Sequence, residues 1–277
     1  MITIDEALCT KCNTCSQHCV AGIIAEGPEI KEEIYKYCIL CGHCAVVCPS
    51  GAISLAGFED LEIPAYTKAS LISPEAMEIL LRGRRSIRHF KTEPVSREHL
   101  EKIVDASSLV PTGGNLRAFK AYVCTDREVF SQLHRKVIEH FTRFAEVLKN
   151  PVEGMPDFRR ERFLFAIDRL MLNPPGGKDF VFWNAPAVLV FTTTSPDPVG
   201  IGGAWIASFA AAMYAETIQV GTCYIGLIID ALNSDPSMKQ LLKIPGEEMA
   251  VSSLILGYPD EEHYRYPPRR PMQTVWV

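Results

Sequence analysis

Two regimes of hydrophobic patterning divide the chain near residue 73. After that point the apolar positions recur with helical or strand spacing. Ser73-Pro74-Glu75 reads as a cap followed by proline in the first turn, opening a helix through AMEILLRG. Ser96 caps a second helix, REHLEKIVDASSL, with Leu100, Ile103 and Val104 on one face. AFKAYVCT (118–125) predicts a strand, and Asp126 opens a long amphipathic helix through Val129, Leu133, Val137, Phe141 and Leu148. Within a proline- and glycine-dotted stretch at 150–180, FRRERFLFAIDRLML predicts a helical excursion with loops. AVLVFTT (187–193) and MAVSSLILGY (249–258) predict buried strands. Between them, VGIGGAWIASFAAAMYA (199–215) falls short of the about 20 apolar residues a membrane span needs. Its glycines and alanines predict a buried helix instead. Helices and strands interleave, so this part is α+β or α/β. The tail RYPPRRPMQTVWV ends in a strand-like run expected to reach outward.

From Gly57 to Ser73 neither period is present. Gly57–Ser73, GFEDLEIPAYTKASLIS, carries Pro64 and reads as a linker, with 58–73 as its span. The first 57 residues are instead a duplication. Cys9, Cys12, Cys15 and Cys19 recur as Cys38, Cys41, Cys44 and Cys48 at an offset of 29, and Gly22 and Ile24 recur as Gly51 and Ile53. Each half reads as a short strand, a cysteine loop and a turn into another short strand (GII, GAIS). So short a segment with few large apolar side chains cannot hold a good core unaided. Something inorganic must replace it.

A length of 277 residues suits two domains, and a net charge of -5 argues against a nucleic-acid partner. The chain opens MITIDEAL, without a basic, apolar leader, so a cytoplasmic protein with no membrane association is expected. In that reducing compartment the eight clustered cysteines, of ten in all, point to metal rather than disulfides. Structural zinc usually draws two C-x2-4-C pairs from separate segments. Two C-x2-C-x2-C-x3-C runs instead match the bacterial ferredoxin pattern, in which the fourth cysteine of each run serves the other cluster. Three close cysteines wrap three corners of a cube, and the next has already left the loop. This assigns Cys9, Cys12, Cys15 and Cys48 to one [4Fe–4S] cluster and Cys38, Cys41, Cys44 and Cys19 to a second. Pro49 follows the last ligand as the motif expects; Val20 stands at the matching place in the first run. With eight cysteines available, His18 and His43 are read as solvent-facing or packing residues. The segment 1–57 resembles a two-[4Fe–4S] ferredoxin.

One-electron clusters must deliver to something. No strand–GxGxxG–helix unit and no GxxxxGK[ST] loop is visible. RGRRSIRHF (82–90) sets Arg84, Arg85 and Arg88 with Ser86, donors suited to a phosphate or, equally, a solvated helix end whose cations the dipole favours. Arg269-Arg270 forms a second basic pair. Residues 74–277 resemble the nitroreductase family of FMN-dependent flavoproteins, on RRSIRHF (84–90), SSLVPTGGNLRAF (107–119), VGTCYIGLI (220–228) and LILGYPDEEHYRYPPRR (254–270). The resemblance implies an α+β fold with a central mixed sheet and surrounding helices, preceded by the small ferredoxin-like domain. It also implies a homodimer with FMN at the subunit interface, the helix at 201–215 buried there and the tail extended onto the partner.

By position, Arg84, Arg85 and Ser86 are expected to hold the FMN phosphate and ribityl chain, and Arg88 the N1/O2 edge. Pro111, Thr112, Gly113 and Asn115 would come from the other subunit, Ile225 and Gly226 would lie near N5, and Arg269 or Arg270 would close on the phosphate. Where family members often carry serines and then glutamine, this chain has Thr112, Gly113, Gly114 and Arg117. Cys124 and Cys223 read as small buried hydrophobes, Glu216 as either a dimer ion pair or a site residue, and no side chain stands out as a general acid. The implied activity is an oxidoreductase of an oxygen-poor cell, relaying electrons between clusters and flavin and reducing a nitroaromatic or quinone-like small molecule. NAD(P)H or a ferredoxin would be the donor. The alternatives are an electron carrier or redox sensor with a non-catalytic flavin domain, and a specialised reaction such as reductive dehalogenation.

Overall fold

A computed structural model describes residues 2–58, 66–172 and 177–277. Part of the predicted linker (59–65) and of the 150–180 excursion (173–176) therefore lies outside the described residues. The chain divides into two compact units, Met1–Ile72 with Gly114–Leu116, and Ser73–Gly113 with Arg117–Val277.

In the first unit, β1 (Ile2–Ile4) pairs antiparallel with β2 (Ile53–Leu55), bringing the two ends of the duplication together. Short helices α1 (Thr14–His18) and α2 (His43–Val46) follow the two cysteine loops. The repeat is written into the backbone: Lys11 and Leu40, Asn13 and Gly42, and Gly22 and Gly51 all take positive φ, each pair 29 residues apart. The first half's expected second strand reduces to one bridge, Ile24 to Ile30, because the chain doubles back with Ala25 N donating to Glu29 O at 2.8 Å. Among the described residues its core cluster is Ile2, Cys15, Ile24, Cys44, Ala45 and Ile53, with Ile23 and Ala52 also buried.

The second unit carries the helices and strands its periodicity predicts, together with a short strand and two helices between residues 221 and 241 that it does not. Ser73 Oγ accepts from Ala76 N to start α3 (Pro74–Gly83), and Ser96 Oγ from His99 N to start α4 (Arg97–Ser108). Asp126 caps the 22-residue α5 (Arg127–Leu148), which α6 (Asp157–Ile167) follows. Asp197 caps α7 (Pro198–Thr217), and α8 (Gly226–Ser234) and α9 (Pro236–Leu241) complete the helices used here. Strands β3 (Phe119–Cys124), β4 (Ala187–Thr193), β5 (Gly221–Tyr224) and β6 (Met249–Gly257) form a sheet in the order β3-β4-β6-β5. These four strands pair antiparallel; its mixed character comes from a parallel bridge of Ser86 with Thr222.

Alternate residues of β4 feed two cores. Val188 and Val190 pack with α5 and α8 on one face, and Ala187, Leu189 and Phe191 pack with α4 and α7 on the other. Buried Glu248 pins the sheet, accepting from Lys120 Nζ at 2.5 Å, Tyr122 OH at 2.9 Å and Thr192 Oγ1 at 2.5 Å. Helix α7 is long and apolar enough, at mean hydropathy 1.3, to cross a membrane by composition alone. Its Gly200, Gly203, Ala204, Ala207, Ala211, Ala212 and Ala215 are buried within this unit, as predicted for a close-packed core helix. A β-carbon at Gly200 would sit 2.0 Å from Ser195 O, which explains that glycine. The other face leaves Trp205, Ile206 and Phe209 exposed. The tail, expected to reach outward, forms no strand after Gly257 among the described residues, and its Met272, Val275 and Trp276 stand in solvent.

Candidate redox centres

The cysteines group as their spacing predicts. One cavity is lined by Cys9, Cys12, Cys15 and Cys48 with Thr10, Asn13, Thr14 and Ser50; another by Cys38, Cys41, Cys44 and Cys19 with Ile2, Val20, Ile23, Ile39, Leu40 and Leu55. Three sulfurs of each set come from one run and the fourth from the other. The sulfurs ring each cavity rather than converge: among the described residues no three His, Cys, Asp or Glu could hold one metal ion. A ring of four thiols suits a multi-iron cluster, whose corners are separate atoms. Burial pushes the Cys44 thiol up to about 11 and raises Cys15 too, so ligation there must displace a firmly held proton. The Thr14 hydroxyl chiefly lowers Cys12. At Cys48 burial opposes the thiolate, but Ser50 and the amides of Ala52, Ser50 and Gly51 outweigh it. His18 and His43 stack at 5.7 Å beside the second cavity, a packing contact.

The basic run leaves α3 as an extended segment fastened along the sheet. Ile87 N donates to Thr222 O at 3.0 Å and Lys91 N to Tyr258 O at 2.9 Å. Gly221 makes this possible, since a β-carbon there would lie 2.8 Å from Ile87 Cγ1. The two readings of the run divide between neighbours. Arg85 bonds the carbonyls of Arg82 (2.9 Å) and Gly83 (3.3 Å), closing the helix end. Arg84 does not: its Nη1 is buried without a partner among the described residues, and so is Thr222 Oγ1. Burial, then Arg269 and Arg84, lower the Arg85 pKa, with Glu216 opposing them. Arg84 also acts on Tyr224, whose phenol burial raises. Thus Arg84, Arg85, Arg269, Glu216, Thr222 and Tyr224 share one neighbourhood beside Ser86, in which cations outnumber acids. Glu216 is the acid among them. Thr222 and Tyr224 lie within the stretch 220–228 that carries the resemblance, but only the Ser86–Thr222 pairing puts them beside the basic run. A buried guanidinium nitrogen lacking an acceptor is costly, and a phosphate oxygen is an acceptor that would satisfy it.

The other predicted residues lie elsewhere. Arg88 stacks over Trp183 at 5.5 Å, in a cavity shared with His89, Lys178, Asp179 and Asp260. Pro111 is exposed, Thr112 Oγ1 accepts from Arg117 N at 3.1 Å, and Gly113 packs against Val199. Asn115 Nδ2 donates to the carbonyls of Ile39 (2.9 Å) and Leu40 (3.0 Å), within the first unit. Ile225 N donates to Ser253 O at 3.1 Å where β5 passes into α8, and Gly226 has open space where a side chain would be. Arg270 is exposed. Cys124 and Cys223 are buried in the core, as read.

Residues 81–258 match the model of the Nitroreductase family, and residues 32–54, which span the second cysteine run, match that of the 4Fe-4S binding domain. The chain belongs to the nitroreductase family. An NADPH-dependent oxidoreductase of Staphylococcus saprophyticus is 24% identical over 71% of this chain and 70% of its own. A 4-nitrobenzoate reductase of a Nocardioides species is 24% identical over 68% and 83%. A nitroreductase with bound FMN from Desulfitobacterium hafniense has the same fold, with a TM-score of 0.58 at 21% identity over 74% of this chain and 100% of that one. The protein is accordingly a nitroreductase-family oxidoreductase carrying an amino-terminal 4Fe-4S domain.

Proposed function

We propose that this nitroreductase-family protein binds FMN and two [4Fe–4S] clusters, and that the clusters exchange electrons with the flavin while it reduces nitroaromatic or quinone-like acceptors. The observation that carries the reading is the partnerless buried Nη1 of Arg84, set beside Arg85 and Arg269 at the Ser86–Thr222 bridge. Arg84, Arg85, Ser86 and Arg269, with Arg270, would hold the phosphate and ribityl chain, and Thr222 adds a hydroxyl. Arg88 would offer a cation to the N1/O2 edge, and Ile225 and Gly226 their backbone near N5. Pro111, Thr112, Gly113 and Asn115 are assigned to the flavin of a second subunit. FMN, when bound, supplies the hydride or stepwise electron transfer.

The cluster ligands are Cys9, Cys12, Cys15 and Cys48, and Cys38, Cys41, Cys44 and Cys19. Bared apolar side chains on α7 (Trp205, Ile206, Phe209) and on the tail (Met272, Val275, Trp276) support a homodimer. We place the protein in the cytoplasm, where its thiols stay reduced. NAD(P)H or a reduced ferredoxin is the donor; the NADPH-dependent relative favours trying NADPH first. The test is anaerobic purification with iron and flavin counts, then reduction by NADPH or by ferredoxin, then a screen of acceptors. Flavin reduced by a donor and reoxidised by an acceptor is the expected result. Clusters without flavin would make the protein a carrier and sink the enzyme reading.

A further inference from the structure

The two cysteine cavities come from one duplicated segment, so each difference between them traces to a position. Both have a backbone amide donating to the sulfur contributed by the other run: Ile23 N to Cys19 Sγ at 3.2 Å and, 29 residues on, Ala52 N to Cys48 Sγ at 3.3 Å. There the likeness stops. In the first cavity the Thr14 hydroxyl lies 3.3 Å from Cys12 Sγ, the Ser50 hydroxyl 3.6 Å from Cys48 Sγ, and Lys11 N donates to Cys9 Sγ at 3.4 Å. The duplication puts His43 where Thr14 would recur and Ala21 where Ser50 would, so the second cavity has neither hydroxyl. Val20, Ile23, Ile39, Leu40 and Leu55 line it together with the stacked imidazoles of His18 and His43, while Ile4, Pro28, Pro49, Ala52 and Ile53 complete the first.

A ligating sulfur is a thiolate and can only accept, so both hydroxyls must donate to it. Bonds donated to cluster sulfurs stabilise the more negative reduced form, and hydrogen bonding and solvent exposure are what set cluster potentials. We propose that Thr14 and Ser50 make the cluster held by Cys9, Cys12, Cys15 and Cys48 the higher-potential one, so that an electron entering the domain settles there rather than on its twin. The inference rests on the two-cluster reading above.

The experiment is an EPR-monitored redox titration of the full-length, iron-loaded protein, with iron counted in each variant. Two separated one-electron waves are expected. Combining Thr14→Val with Ser50→Ala lowers the upper wave by at least a tenfold change in electron affinity, about 59 mV for one electron, and leaves the lower wave in place. Ala21→Ser raises the lower wave alone, a gain that a folding defect would not produce. The stacked His18–His43 pair is the same in every variant. About four irons per chain instead of about eight overturns the two-cluster reading and the inference with it. With about eight irons retained, movement of the lower wave in the double variant, or of neither wave in both tests, overturns the inference while the two-cluster reading stands.

Discussion

The amino-terminal unit and the larger second unit reach their folds by opposite means. The first buries Ile2, Cys15, Ile24, Cys44, Ala45 and Ile53 and directs its chain through paired left-handed residues around eight sulfurs. The second closes two apolar cores on the faces of a four-stranded sheet. In a unit with so small a core, ligand binding is folding free energy; in the other, burial supplies the stability and the site is fitted into finished architecture. The same contrast governs how sharply each site is written. Thiol spacing groups the cysteines almost by itself, whereas the cradle proposed for a phosphate draws on a helix end, a strand and a distant tail.

The largest break in that contrast should come from Cys44→Ser. Its loss should strip the first unit of protection, with limited proteolysis removing residues before about 57 and leaving a resistant fragment from residue 73 onward. Equal loss of both fragments would contradict independent stabilisation. Glu248→Ala strikes the second unit where it is polar, leaving the hydroxyls of Tyr122 and Thr192 without their acceptor. Urea unfolding should show a loss of about 3 kcal/mol in the second unit, with the iron content unchanged.

Arg84→Ala should leave both folds intact and weaken FMN binding roughly 10- to 100-fold, the effect of one charge-assisted bond. Flavin released on dilution measures it, and undiminished affinity would remove Arg84 from the cradle. The smallest effect depends on pH. Burial works against the Asp179 charge, but His134 and the amides of Asn184, Phe182 and Val181 outweigh it and hold the carboxyl down at about 2. The folded pKa is depressed, so the stabilisation is complete above the unfolded value near 3.8 and fades as pH falls towards 2. Asp179→Asn should therefore cost about 2 kcal/mol at pH 7 and converge on the wild type in acid; an equal cost at pH 7 and pH 3 would contradict the ionic origin.

Much of this was legible beforehand, for reasons that differ by element. Ser73, Ser96 and Asp126 cap the helices they predict because capping is local chemistry. The β4 run, 187–193, shows as a continuous apolar stretch because both its faces are covered. The tail forms no strand among the described residues of one chain, since a strand needs a neighbour and apolar composition cannot supply one. Arg84 and Arg85 are the same residue type side by side, and nothing local says which of them closes the helix and which keeps a free donor.

By itself, then, the order of residues determined the sulfur quartets, the helix starts and the family, since these depend on spacing along one chain. Only the tertiary structure decided that Thr222 and Tyr224 join Arg84, Arg85 and Glu216 in one neighbourhood, and that two hydroxyls lie at 3.3 and 3.6 Å from one cavity's sulfurs. Hydrogen bonds and charges act across a few ångströms of space, and residues separated by more than a hundred positions become neighbours only when the sheet has formed.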